Sequence, residues 1–125
     1  MGTRSTTKIY EKFGDKKRLL LALYKQYDGY IDGWGLELSK FLKSKPFVNG
    51  ISDNDKVFNG LGCFALQLVC DFKKGAGELY ATNPDDEQEY NYIIVAEYKE
   101  ETCTITLTCD EDEDYKTTIR YKTGL

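Results

Sequence analysis

The apolar positions change period along the chain, and the changes mark its elements. Residues 3–12, Thr-Arg-Ser-Thr-Thr-Lys-Ile-Tyr-Glu-Lys, combine β-branched residues with loose alternation. This predicts a strand near a sheet edge. Phe13-Gly14-Asp15-Lys16-Lys17 reads as a turn. Arg18 to Lys25 carries Leu on both parities, which predicts a central strand buried on both faces and paired with the first as an antiparallel hairpin. The period then becomes helical: Trp34, Leu38, Phe41 and Leu42 share one face, with Asp32 as N-cap and Lys43, Lys45 and Pro46 at the end. Ser52 and Asp55 have the spacing of a capping box opening a second helix. Its stripe is Val57, Leu61, Phe64, Ala65, Leu68, Val69 and Phe72, and Lys73, Lys74 and a capping Gly75 close it.

The remainder is strand-like. Gly77 to Thr82 predicts a short strand and Asn83-Pro84-Asp85-Asp86-Glu87 an acidic loop. Tyr90 to Tyr98 places Tyr92, Ile94, Ala96 and Tyr98 on one face. Thr102 to Cys109 alternates cleanly, with Cys103, Ile105, Leu107 and Cys109 inward and Thr102, Thr104, Thr106 and Thr108 outward. Asp110 to Asp114 predicts a hairpin loop, and Tyr115 to Lys122 the last strand. The order is ββααββββ. Segregated strands and helices predict an α+β fold: a single mostly antiparallel sheet of about six strands with two helices packed on one face. No repeat or linker divides the chain, so residues 1–125 read as a single domain.

Composition narrows the chemistry. The net charge of −4 and pI near 4.9 argue against a broad nucleic-acid footprint. The longest purely apolar run, Leu19 to Leu23, is far short of a membrane span. No charged-then-apolar leader opens the chain, so the expected location is the cytoplasm. Met1-Gly2-Thr3-Arg4-Ser5-Thr6 formally matches a myristoylation pattern but reads better as the start of a strand. With no His, there is no Ser-His-Asp or Cys-His pair and no His-based zinc site. Enzymes can instead use carboxylates, Lys or Tyr, so the enzyme class is weakened rather than removed. Cys63, Cys70, Cys103 and Cys109 lack Cys-x-x-Cys spacing and are expected to be small core residues rather than disulfides or a metal site. Asn59-Gly60-Leu61-Gly62 lacks the strand and third Gly of a phosphate loop, and close helix-to-sheet packing is the expected reason for its glycines.

Three clusters could carry function. The first is the stretch Tyr24 to Gly35, where Tyr27, Asp28, Tyr30, Asp32 and Trp34 concentrate aromatic rings and carboxylates in a shaped turn. Rings stack on planar ligands and carboxylates accept their amino and hydroxyl hydrogens. Equally, Asp28-Gly29 is a tight turn and Trp34 a core residue. The second is the acidic run Asp110, Glu111, Asp112, Glu113 and Asp114. It mimics the start of an EF-hand loop, but Tyr115 replaces the required Gly and Tyr121 the bidentate Glu. Such a run is a solvated loop or a contact for a basic partner. The third is the basic set Arg4, Lys8, Arg18, Arg120 and Lys122; near one another, Arg4 and Arg120 could hold a phosphate.

Thr3-Arg4-Ser5-Thr6 in a first strand, followed by Gln26-Tyr27-Asp28-Gly29-Tyr30 before a helix, resembles a group of small bacteriophage and bacterial proteins with no established chemistry. Their pattern is a Thr-Arg-Ser/Cys-Thr strand, a hairpin, then His-Trp-Asp-Gly-Tyr-Pro. Asp28, Gly29 and Tyr30 match; Gln26, Tyr27 and Ile31 replace His, Trp and Pro, so no His-based role carries over. The likeness spans roughly the first 40 residues and implies a phage or prophage setting, in which small proteins often antagonise host defence. The resulting expectation is a non-enzymatic, cofactor-free and metal-free binding protein. It would sequester a small nucleotide-like signal through Tyr27, Asp28, Tyr30, Asp32, Trp34, Arg4 and Arg120, as a homo-oligomer in a bacterial host. Two alternatives stand beside it. One is an anti-CRISPR-like protein inhibitor using the acidic segments 85–89 and 110–114; the other is a hydrolase dependent on Asp28.

Overall fold

The computed structural model describes residues 2–49 and 56–123. Its elements are β1 (Ser5–Phe13), β2 (Lys16–Lys25), a π-helical turn (Ile31–Gly35), α1 (Leu36–Leu42), β3 (Phe47–Val48), β4 (Phe58–Asn59), α2 (Gly60–Phe72), β5 (Leu79–Ala81), β6 (Tyr90–Lys99), β7 (Thr102–Cys109) and β8 (Asp112–Lys122). Six strands form one sheet in the order β5-β2-β1-β6-β7-β8, and β3 pairs with β4 in a separate two-stranded ladder. Every pairing in the large sheet is antiparallel except β1 with β6. The fold is therefore the α+β class that the segregated pattern predicts.

One face of the sheet carries the core. Ile9, Leu23, Tyr92, Ile94, Ala96, Cys103, Ile105, Leu107 and Cys109 lie under Trp34, Leu38 and Leu42 from the π turn and α1, and under Leu61, Phe64, Ala65 and Leu68 from α2. The period-2 alternation of β6 and β7 puts every second side chain on this face, where Tyr92, Ile94 and Ala96 of β6 and Cys103, Ile105, Leu107 and Cys109 of β7 are buried. Phe41, Phe47, Phe58, Phe64 and Phe72 add ring contacts between the helices and the small ladder.

Several expectations need correction. β1 is not near an edge: it lies between β2 and β6, with Ser5, Thr6, Thr7, Lys8 and Ile9 all buried. Its polar composition suggests exposure, but both of its faces are covered. The segment between β5 and β6 crosses the face opposite the helices, where Glu87 meets Lys8 at 3.6 Å and Asn91 accepts a hydrogen bond from the Thr6 hydroxyl at 2.6 Å. Asp32 does not cap the first helix. That helix begins as a π turn after Tyr30, and Asp32 lies inside its first turn with no side-chain capping bond at the N-cap. The second helix starts at Gly60, not near Ser52, because Phe58 and Asn59 pair with Phe47 and Val48. Val57 and Phe58 thus precede the helix, and the proposed capping box at 52–55 lies outside the described residues. The helix ends at Lys73 as C-cap rather than at Gly75. Gly62 faces open space rather than the sheet. Cys103 and Cys109 are core residues, but Cys63 is only partly buried and Cys70 is exposed. The acidic run is not a five-residue loop: only Asp110 and Glu111 form the turn, and β8 begins at Asp112.

Candidate functional site

The Tyr27–Gly35 turn is anchored to the start of β1. The Gly29 amide donates to the Thr3 carbonyl at 2.9 Å, and the Tyr92 hydroxyl donates to the Gly29 carbonyl at 2.7 Å. Gly29 packs so closely that a Cβ there would lie 2.6 Å from Ser5 Cβ. Asp28 reaches this arrangement with a left-handed φ of +59°, and its carbonyl accepts the Trp34 amide at 2.8 Å. The short Asp side chain suits that conformation. Segments 3–6 and 26–30 are therefore in contact.

The predicted binding residues separate into groups. Trp34 is 1 % exposed, its indole N–H donates to the Thr7 hydroxyl at 2.8 Å, and its ring meets Phe72 edge to face. It is a core residue, which removes it from any surface site. Asp28 and Asp32 are exposed, as is Tyr30 at 41 %. Arg120 is not near Arg4. It sits on β8, three strands across the sheet, and the register aligns it through Thr104 and Glu97 with Lys12 rather than with the Arg4 end of β1. A shared phosphate clamp between Arg4 and Arg120 is thus geometrically excluded.

Arg4 and Tyr27 do come together. With Gly2, Gln26 and Glu89 they line a surface cleft of about 390 Å³, where the chain enters β1, leaves β2 and begins β6. The Tyr90 amide donates to the Arg4 carbonyl at 3.3 Å, and the Gln26 amide to the Glu78 carbonyl at 2.9 Å, so the backbone lining the cleft is tied to the ends of β1, β2, β5 and β6. The guanidinium of Arg4 makes no ion pair among the described residues, and the Tyr27 ring is 45 % exposed. The cleft thus offers a free cation, an aromatic face, a carboxamide that both donates and accepts, and a carboxylate. Neither Gln26 nor Glu89 is expected as a ligand contact from the sequence, although Gln26 belongs to the turn motif and Glu89 to the acidic segment 85–89. Gln26 adjoins the aromatic turn, but Glu89 comes from the far side of the β1–β6 pairing and has no local signal.

A second region is built around Asn91. Its side-chain oxygen accepts from Thr6 and from the Gln88 amide, and its side-chain nitrogen donates to the Gln88 carbonyl at 2.9 Å and to Asp110 at 2.8 Å. The Asn91 amide also donates to Asp110 at 2.9 Å. This joins the segment 82–89 to the β7–β8 turn, so two acidic stretches distant in sequence form one surface. Asp110 is consumed in holding it together, while Asp85, Glu111, Glu113 and Asp114 are exposed.

Among the described residues, no group of three or more His, Cys, Asp and Glu side chains is placed to hold a metal ion. Among these residues, too, no helix is long and apolar enough to cross a membrane. Comparison with protein-family models, curated proteins and solved structures finds no match to this chain.

Proposed function

We propose that this protein binds and sequesters a small nucleotide-like molecule in the cleft between Arg4 and Tyr27, without chemical turnover. The observation that carries the reading is a guanidinium with no ion pair among the described residues and an exposed tyrosine ring on one cleft of about 390 Å³. That volume lies within the range of small-molecule sites. Arg4 would hold a phosphate by charge-assisted hydrogen bonds, Tyr27 would stack on the base, and Gln26 and Glu89 would meet its polar edge. The likeness of segments 3–6 and 26–30 to phage proteins supplies the setting: a counter-defence protein acting in the cytoplasm of a bacterial host. Calorimetry against linear and cyclic nucleotides tests it. Binding is expected, and Arg4→Ala and Tyr27→Ala should each weaken it by roughly tenfold or more. Absence of heat across the panel refutes it.

A second reading rests on the acidic surface joined at Asn91, which would imitate nucleic-acid phosphates and occupy a basic channel of a host complex. It requires the protein to displace labelled DNA from such a complex. Neutralising Asp85, Glu111 and Glu113 with Ser should abolish the displacement while leaving nucleotide binding intact.

A further inference from the structure

The Arg4 cleft sets opposite charges on one surface without joining them. Arg4 and Glu89 both line it, together with Gly2, Gln26 and Tyr27. Neither the Arg4 guanidinium nor the Glu89 carboxylate forms an ion pair among the described residues. The carboxylate is fastened instead to the backbone of the same arginine: the Arg4 amide donates to Glu89 Oε1 at 3.4 Å. A carboxylate has about four acceptor sites on its two oxygens, so this one bond leaves most of them open. Tyr27 is held in place from one side. A Cβ added to Gly2 would lie 2.4 Å from the Tyr27 ring, so the backbone at Gly2 packs directly on it, while 45 % of the residue stays exposed.

We propose that the cleft takes a guanine nucleotide, with Glu89 reading the base edge, an inference that rests on nucleotide sequestration at this site. With Arg4 on the phosphate and Tyr27 stacked on the base, the choice of base falls to Glu89. An ionised carboxylate accepts hydrogen bonds and donates none. Guanine alone among the common bases presents two adjacent donors on its Watson–Crick edge, N1–H and the 2-amino group. Both carboxylate oxygens can accept from that edge at once, a bidentate match in geometry as well as in charge.

The other bases fail the same test. Adenine sets its 6-amino donor beside the N1 lone pair, and cytosine sets its 4-amino donor beside the N3 lone pair. Against either, one carboxylate oxygen is left facing a lone pair. Uracil offers one N–H between two carbonyl oxygens. A site built to meet two donors rejects these edges because polar groups are left unpaired or opposed. Guanine O6 lies next to N1–H, and the Gln26 carboxamide on the same cleft can donate to it. Glu89 is exposed, so water competes for its oxygens. The discrimination therefore belongs at the lower end of what a bidentate pair supplies, roughly tenfold.

Calorimetry of the full chain with GMP, AMP, CMP, UMP and IMP tests the assignment. GMP should bind roughly tenfold or more tighter than AMP, CMP or UMP. IMP, which keeps N1–H and lacks the 2-amino group, should fall between. Glu89→Gln, at an exposed position that leaves the fold intact, should lower the ratio of GMP to AMP affinity by roughly tenfold or more. A carboxamide donates to the adenine lone pair that a carboxylate opposes. Arg4→Ala should weaken every nucleotide alike and leave that ratio standing. Equal affinity for the five nucleotides, or a preference for GMP that Glu89→Gln does not change, would overturn the guanine assignment and leave sequestration itself in place. No binding of any of the five would overturn both.

Discussion

At Gly29 a single added methyl group would collide with the strand beneath it. The hypothetical Cβ falls 2.6 Å from Ser5 Cβ and 2.7 Å from Ser5 Oγ, both in the buried start of a central strand that cannot easily move. Gly29→Ala should destabilise the protein by about 1–3 kcal/mol, the usual cost of overpacking. Urea unfolding measures it, and adding Ser5→Gly to the same chain should recover part of the loss, since the two positions share the clash. The residues show what a sequence can and cannot disclose at this scale. That Tyr24 to Gly35 forms a shaped turn is legible from its Gly, Asp and aromatic content. That Trp34 belongs to the core is equally legible from its helical spacing with Leu38 and Leu42. Its hydroxyl partner, Thr7, is not, because Thr7 lies on a strand whose composition suggests exposure. The cleft residue Glu89 is illegible for the same reason: only the tertiary fold brings it to Arg4.

At the scale of elements, α2 contains two glycines with opposite consequences. Gly60, its first residue, has a left-handed φ of +87°, whereas Gly62 has an ordinary φ and nothing within 4 Å of a hypothetical Cβ. Gly62→Ala should therefore raise stability by about 0.5–1 kcal/mol through the lost freedom of the unfolded chain. Gly60→Ala should lower stability, because an L-residue is strained there. Thermal melts of the two variants should move in opposite directions. β7 could be read to the residue, since its alternation is local and one of its faces is buried. The start of α2 could not, since Phe58 and Asn59 are claimed by pairing with Phe47 and Val48, which no local pattern encodes. The acidic run differs for a related reason: its charges suggest a loop, but Asp112 pairs with Cys109 and the ladder resumes at Lys116 after an irregularity.

For the whole molecule, burial sets the response to alkali. Burial is the largest cause raising Tyr92, Tyr98, Tyr115 and Tyr121 above the ordinary 10.0, and Cys103 and Cys109 above 9.0. The unfolded chain releases these protons first, so above about pH 9 it binds fewer protons than the folded chain, and stability falls as pH rises. The urea midpoint should hold below that range and decline above it. The tyrosinate absorbance of these four residues should appear only as the protein unfolds. The α+β class and the helical layer over one sheet face follow from segregated periodicities. The strand order does not, because it turns on β1 pairing in parallel with β6 across more than half the chain.

That pairing also has a consequence in time. The strand that completes the side of β1 facing away from β2 begins at Tyr90, long after Phe13 has been made. At ordinary rates of translation the gap lasts about 4–15 s. Throughout it the hairpin of β1 and β2 carries an open edge on the growing chain. A greasy strand left waiting in this way would attract its neighbours on the polysome. β1 instead waits as Ser-Thr-Thr-Lys-Ile-Tyr-Glu-Lys, a sequence fit for water although most of it ends up buried.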